Sequence, residues 1–241
     1  MYKTLFLLLL LPLQLVAFSL KQEILKAKSG DFMVYSYKES LVLLRIRDVS
    51  PTLLIVEEIS SPRQAATATN WQEWVTKEAP GHTSWTITRI AMATGKVISI
   101  FSVDQGEFLD TNPAFMFLPT LLELPLKPVE AHERKYVGAE PLEGEVDNRR
   151  LWKPKIIFEQ KEIFPKIAAF RVRWPDDASE LSGKPIDLYF AEDGPIPYLP
   201  YWIEVFAAQK AKISALDSGH GLTSPVRLLS YEHPEKSIPQ K

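Results

Sequence analysis

The chain has no cysteine, few glycines and almost no surplus of either charge. Without cysteine there is no disulfide, no thiolate nucleophile, no cysteine-based zinc site and no cysteine-ligated iron–sulfur cluster. A lipid-modified N-terminal cysteine is excluded as well. Ten glycines among 241 residues are few for phosphate-cradling loops, and neither a GxGxxG nor a P-loop pattern occurs. Against 30 Asp and Glu stand 28 Lys and Arg, a balance without the clustered positive excess that nucleic-acid phosphates require. The four histidines (His82, His132, His220 and His233) are scattered, and His132-Glu133-Arg134 lacks the second histidine of a zinc helix. No G-x-S-x-G presents a serine nucleophile. The sequence therefore predicts no metal, no cofactor, no nucleic-acid partner and no enzyme motif.

What is present describes an exported globular chain. Hydrophobic residues make up 46% and aromatics 11%, enough to bury a core and exclude intrinsic disorder. Lys3 precedes the apolar run Leu5–Leu13, and Ala17-Phe18-Ser19 follows as a small-x-small pattern. This is the layout of a secretory signal peptide, with cleavage expected after Ser19 and export to the periplasm. An uncleaved inner-membrane anchor is the alternative, although Pro12 and Gln14 interrupt the run. Residues 20–230 then read as one domain and 231–241 as a polar tail.

Along the domain, Leu20, Ile24 and Leu25 share a helical face before Gly30. Phe32–Lys38, Leu41–Arg47 and Leu53–Ile59 read as a strand meander. Ser61-Pro62-Arg63-Gln64 has the form of a capping box, which predicts a helix with Ala68, Trp71 and Val75 on one face and Trp74 beside them, ending at Pro80-Gly81. Thr83–Met92 and Lys96–Val103 flank Ala93-Thr94-Gly95 as a hairpin. Ala114–Leu126 places Phe115, Leu118 and Leu122 on a helical face that Pro119 is expected to kink. Residues 138–154 read as a solvated loop. Strands return at Lys155–Ile163, Lys166–Trp174, Ile186–Ala191, Pro200–Phe206 and Ala211–Leu216. The expected class is α+β: a strongly curved antiparallel sheet, like an incomplete β-barrel, with a few short helices on one side.

Several of these strands are apolar on both faces. Phe32 and Val34 oppose Met33, Tyr35 and Tyr37; Phe101 opposes Ile98 and Ile100; Tyr201 and Ile203 oppose Trp202. Such strands need cover on both sides, and the helices are short. Either the sheet curls around an ordinary filled core, or it cups an apolar ligand under a helical lid. In the second case Trp71, Trp74, Val75, Phe115 and Leu118 form the lid. Trp85, Ile87, Phe101, Phe170, Val172, Trp174, Tyr201 and Trp202 then line the cavity. The stretch Gly194–Trp202 (GPIPYLPYW) reads as a rigid turn into a strand, or as exposed Tyr and Trp for a polyproline-type contact.

For chemistry, Glu57 and Glu58 point to opposite faces of a strand and cannot act on one substrate. Asp176-Asp177 suits a helix N-terminus. Gly219-His220-Gly221 reads as a turn, with a hydrolase centre on His220 and Asp217 or Asp176 as the remaining alternative.

The element order, a leader, a short helix, a strand meander, inserted helices and late strands, resembles the periplasmic outer-membrane lipoprotein carrier family. Glu180–Pro197 (ELSGKPIDLYFAEDGPIP) followed by Tyr201-Trp202-Ile203-Glu204-Val205 is similar to the strand–turn–strand ends of those proteins. The resemblance implies an incomplete barrel closed by helices that shelters acyl chains. The expected function is accordingly a periplasmic carrier or chaperone of a lipid or lipidated protein. The alternative is a non-catalytic structural or interaction protein with partners in the cell envelope.

Overall fold

The computed structural model describes residues 18–65, 70–110, 117–207 and 211–227. The predicted leader before Phe18, the positions Ala68 and Phe115, and the polar tail lie outside the described residues. Among the described residues there are three α-helices: α1 (Leu20–Ile24), α2 (Trp71–Thr76) and α3 (Phe117–Glu123). The first strands are β1 (Phe32–Tyr37), β2 (Ser40–Val49), β3 (Leu53–Pro62), β4 (Ser84–Ala91), β5 (Val97–Ser102), β6 (Glu107–Leu109) and β7 (Lys127–Pro128). Four short ones follow: β8 (Tyr136–Val137), β9 (Arg150–Leu151), β10 (Ile156–Phe158) and β11 (Lys161–Ile163). The last strands are β12 (Ile167–Arg173), β13 (Pro185–Ala191), β14 (Trp202–Val205) and β15 (Ala211–Gly219). Strand accounts for 43% and helix for 11% of the described residues, so the fold is mostly β.

Eleven strands form one antiparallel sheet in the order β6-β5-β4-β3-β2-β1-β15-β14-β13-β12-β7. β10–β11 and β8–β9 are separate two-stranded ribbons. The last long strand, β15, pairs with the first, so the two halves of the chain are joined at the middle of the sheet. β6 and β7 are its edges and do not pair with each other, so the sheet is not closed.

The two-faced strands are covered on both sides, by different means. On one face Met33, Leu44, Ile46, Leu54, Val56 and Ile90 pack with α1 through Leu20 and Ile24, and with α3 through Leu118, Leu121 and Leu122. Phe170, Val172, Leu188 and Phe190, near the far end of the sheet, belong to the same core. On the other face Phe32, Val34, Leu41, Leu43, Ile59 and Trp85 pack with Trp74 and Val75 of α2 and with Leu222. Ile55, Ile87 and Phe101 continue that face, with Val226 against them. The helices therefore do not lie on one side. Three short helices cannot screen both apolar faces, and an extended segment after β15 completes the second.

Local signals misplace three boundaries. Ser61 pairs with Leu41 in the β2–β3 ladder, so the apparent capping box belongs to a strand. Asn70 is the N-cap of α2 instead, its side chain accepting from the Glu73 N–H at 3.1 Å. Pro119 is the third residue of α3, in the first turn, where its missing N–H has no helical partner to lose. Lys155–Ile163 is a hairpin rather than one strand, turning at Glu159 and Gln160 with φ of 47° and 65°.

Candidate functional site

Beneath α3 the first face of the sheet does not fill. A hollow of about 220 Å³ is walled by Tyr35 and Tyr37 of β1, Val42 and Leu44 of β2, and Glu58 of β3. Phe117, Leu118 and Leu121 of α3 roof it, and Leu199, Pro200, Ile203 and Ile213 close the far side. A second hollow of about 160 Å³ abuts it, bounded by Val56, Glu58, Thr88, Ile90, Phe117, Leu118 and Pro119. Glu58, Phe117 and Leu118 are common to both. Joined, the two reach the lower end of small-ligand pocket sizes, about 300 Å³.

Pairing explains why these residues meet. In the β2–β3–β4 ladders Leu44 faces Glu58 and Glu58 faces Thr86. Thr88 lies opposite Val56 and is thus diagonal to Glu58 on the same face. Tyr35 faces Val42 across β1–β2. β15 and β14 bring Ile213 and Ile203 alongside from the other half of the chain.

Glu58 is the one carboxyl in these walls and forms no hydrogen bond or ion pair with any described residue. Burial raises its carboxyl above the ordinary glutamate value. The Tyr35 phenol is likewise pushed far above the tyrosine range, by burial first and then by Tyr201 and Glu58. The Thr88 hydroxyl is buried and has no hydrogen-bond partner among the described residues. The site is an apolar hollow with one unpartnered hydroxyl, that of Thr88, and one half-buried carboxyl, that of Glu58, in its walls.

The opposite face contrasts with it. Glu57 receives Arg45 Nη1 at 2.7 Å, Trp85 Nε1 at 2.8 Å and Ser224 Oγ at 2.6 Å, and Arg47 Nη1 stands 3.4 Å away. Arg45 also donates to the Leu222 carbonyl, and Arg47 Nη2 to the Val226 carbonyl at 2.6 Å. This buried cluster ties the extended segment to the sheet.

The expected lid and wall residues divide between these environments. Leu118 lines both hollows. Phe170, Val172 and Trp174 lie in the same core, and Phe117 stacks on Trp174 with centroids 5.4 Å apart. Tyr201 is fully buried there, its phenol pushed up to about 12 chiefly by burial. Trp202 packs at the margin of that core, on Trp152 with centroids 5.0 Å apart, and does not line the hollow. Trp71, Trp74, Val75, Trp85, Ile87 and Phe101 sit on or against the opposite face and cannot cover this hollow. That corrects the expected lid: of its described residues only Leu118 borders the hollow. Sequence reading missed Tyr35, Leu44, Glu58, Thr88, Ile203 and Ile213 as site residues. The two-faced pattern of β1 and β14 was the available signal.

Placement also removes two of the alternatives to a simple turn. In GPIPYLPYW, Tyr198 and Tyr201 are buried, so the stretch is no exposed aromatic ligand. The Tyr198 hydroxyl donates to Asp31, which also meets His220 Nδ1 at 2.6 Å. Thus His220 pairs with Asp31, while Asp217 accepts from Trp71 Nε1 at 3.0 Å and from the Gln160 N–H at 3.1 Å. The Ser218 hydroxyl donates to the Ile157 carbonyl at 2.9 Å. The imagined His220–Asp217 centre does not assemble.

The family model described as CT021 protein matches residues 42–164, just over half of the chain. No curated protein matches it. Among solved structures, the hypothetical protein CT021 from Chlamydia trachomatis is similar in fold, with a TM-score of 0.63 at 20% sequence identity. The match covers 88% of this chain and 98% of that one.

Proposed function

The chain belongs to the CT021 protein family, and we propose that it is an exported, non-catalytic binding protein that shelters an acyl chain of a lipid or lipidated protein beneath α3. The observation that carries this reading is the hollow itself: an almost wholly apolar space under a helix, walled by strands from both halves of the chain. Strong curvature of the sheet supports it. Ile90 of β4 and Phe170 of β12 share one core although six strands separate theirs in the sheet, a span that a flat sheet would hold tens of ångströms wide. A sheet bent in that way, with unpaired edges at β6 and β7, is an incomplete barrel around α1 and α3. Each buried methylene contributes about 0.8 kcal/mol, so a short apolar chain alone supplies useful affinity.

Native mass spectrometry of protein purified from its own envelope tests the proposal. A retained mass corresponding to a lipid or acyl group is the expected result. A clean apo mass, in protein that also fails to take up added lipid, overturns it.

A further inference from the structure

Lys38 stands where the backbone does not favour a lysine. Tyr37 pairs with Ser40, so Lys38-Glu39 is a two-residue hairpin turn between β1 and β2. Lys38 has a φ of 53°, in the left-handed region where glycine or asparagine sits with least strain. A strained residue kept at such a position points to a use for its side chain. The ammonium nitrogen lies 5.0 Å from the centroid of the Tyr37 ring, and Tyr37 walls the hollow beneath α3. Lys38 is exposed and forms no ion pair with Glu39 or with any other described residue. A positive charge without a described counter-charge therefore marks one rim of an apolar space.

We infer that the hollow takes a single fatty acid as its anion, tail inward, with the carboxylate at the rim beside Lys38. This rests on the acyl-binding reading above and specifies the end group recognised within it. Charge along the hollow sets the direction. Lys38 adjoins the Tyr37–Ser40 rung, and the Leu44–Glu58 rung lies four residues further along the strands, about 13 Å. A carboxylate is attracted at the Lys38 rim and finds no partner at the other end, where the wall carries the Glu58 carboxyl. Volume sets the number of chains. With about 30 Å³ for a group the size of a water molecule, a methylene included, 220 Å³ holds about seven carbons, one chain and not two. A phosphate end group fits less well. Its higher charge and three acceptor oxygens call for more donors than one lysine supplies.

Calorimetric titration of the full chain with octanoate, methyl octanoate, octyl phosphate and octylamine, at neutral pH and low salt, tests this. The methyl ester keeps the chain and lacks the charge. Octanoate is expected to bind about fivefold more tightly than the ester, the worth of one exposed ion pair, and added salt should shrink that preference. Lys38→Gln should abolish it while leaving the ester's affinity intact, which also reports that the hollow is formed. Lys38→Arg should retain it. Lys38→Gly removes strain together with charge, so it should unfold at a higher temperature and still lose the preference. Equal affinity for octanoate and its ester, tighter binding of octylamine or octyl phosphate than of octanoate, or an undiminished preference in Lys38→Gln overturns the inference and leaves the acyl-binding proposal standing. Failure of all four probes to bind removes both.

Discussion

Glu57 and Glu58 are consecutive in β3 and end in opposite circumstances, one inside a buried cluster with Arg45 and Arg47, the other facing the apolar hollow under α3. The alternation of a strand makes this possible within two residues. The first carboxylate is structural, and its loss has a defined cost. Glu57→Gln removes the carboxylate that the buried Arg45 and Arg47 guanidinium groups share and weakens the anchorage of Leu222–Val226. Breaking a buried pair from one side costs about 3–5 kcal/mol. Urea unfolding followed by circular dichroism should show a drop of that order; a drop below about 1 kcal/mol would mean that the cluster is dispensable.

Glu58 gives a pH dependence of known sign. Its folded value is raised by burial above the ordinary 4.5. Below that pH both folded and unfolded chains hold the proton, and the residue has no pH-linked effect. Above it the unfolded chain releases its proton first. Stability fully present below the unfolded value is therefore lost as pH rises through the folded one. The groups facing Glu58 across the hollows are Tyr35 and Tyr37 from β1, Thr88 from β4 and the apolar Phe117, Leu118 and Leu121 from α3, and among the described residues lining them there is no cation to oppose this trend. Glu58→Gln lacks the proton equilibrium. Its stability advantage over the parent protein should grow between pH 4 and the raised value, then level off. A difference that stays constant from pH 4 to 8 contradicts the burial of this carboxyl.

Gly30 joins the two ends of the chain at a point where no side chain fits. Its φ is +89°, and a Cβ there would stand 3.0 Å from the Gly221 Cα and 3.1 Å from the Leu222 nitrogen. The Leu222 N–H donates to the Gly30 carbonyl at 2.9 Å and the Gly30 N–H to Ile46 at 2.8 Å. Gly30→Ala adds left-handed strain of about 1–2 kcal/mol and forces these backbones apart. Thermal unfolding of the variant should start several degrees lower, whereas Gly106→Ala, in open space, should lose only the strain.

Phe18 stands before the cleavage point expected from the leader pattern, yet its ring stacks on Phe170 with centroids 4.3 Å apart and meets Phe190 at 5.4 Å. A chain beginning at Leu20 forfeits that contact. It should be less stable than one beginning at Phe18 by about 1–3 kcal/mol, the range for burying one large apolar side chain. Comparing their urea midpoints checks this; equal midpoints would show that the ring adds nothing.

Strands were the most legible part of the sequence, because short apolar runs bounded by Gly, Pro and Asp set both type and approximate ends. β1, β4, β5, β13 and the Ala93-Thr94-Gly95 hairpin follow directly. The need for cover on both faces was legible too, from Phe32 and Val34 against Met33 and Tyr35. What supplies the cover was not. The second face is completed by Leu222 and Val226, held by Arg45 and Arg47 from more than 170 residues away. No local pattern encodes that. The choice between Ser61 and Asn70 as helix cap was likewise settled by ladder pairing with Leu41, since both carry capping chemistry. Glu58 was read as facing away from Glu57. That it faces a hollow depends on β14, β15 and α3 converging over it.

The division of aromatic residues between faces yields a final discriminating pair. Ile213→Phe pushes a ring into the larger hollow from β15. Overpacking of a filled core costs about 1–3 kcal/mol, but here there is space, so stability should change by less than about 1 kcal/mol. Affinity for methyl octanoate should fall at least tenfold. Trp74→Ala acts on the other face, where the indole packs against Trp71 with centroids 6.1 Å apart and donates to the Pro80 carbonyl at 3.2 Å. Its loss should cost about 3–5 kcal/mol of stability and leave affinity in the surviving folded protein unchanged. Had α2 been the lid, the effects on binding would be reversed, and titration of the two variants under folding conditions separates the two arrangements.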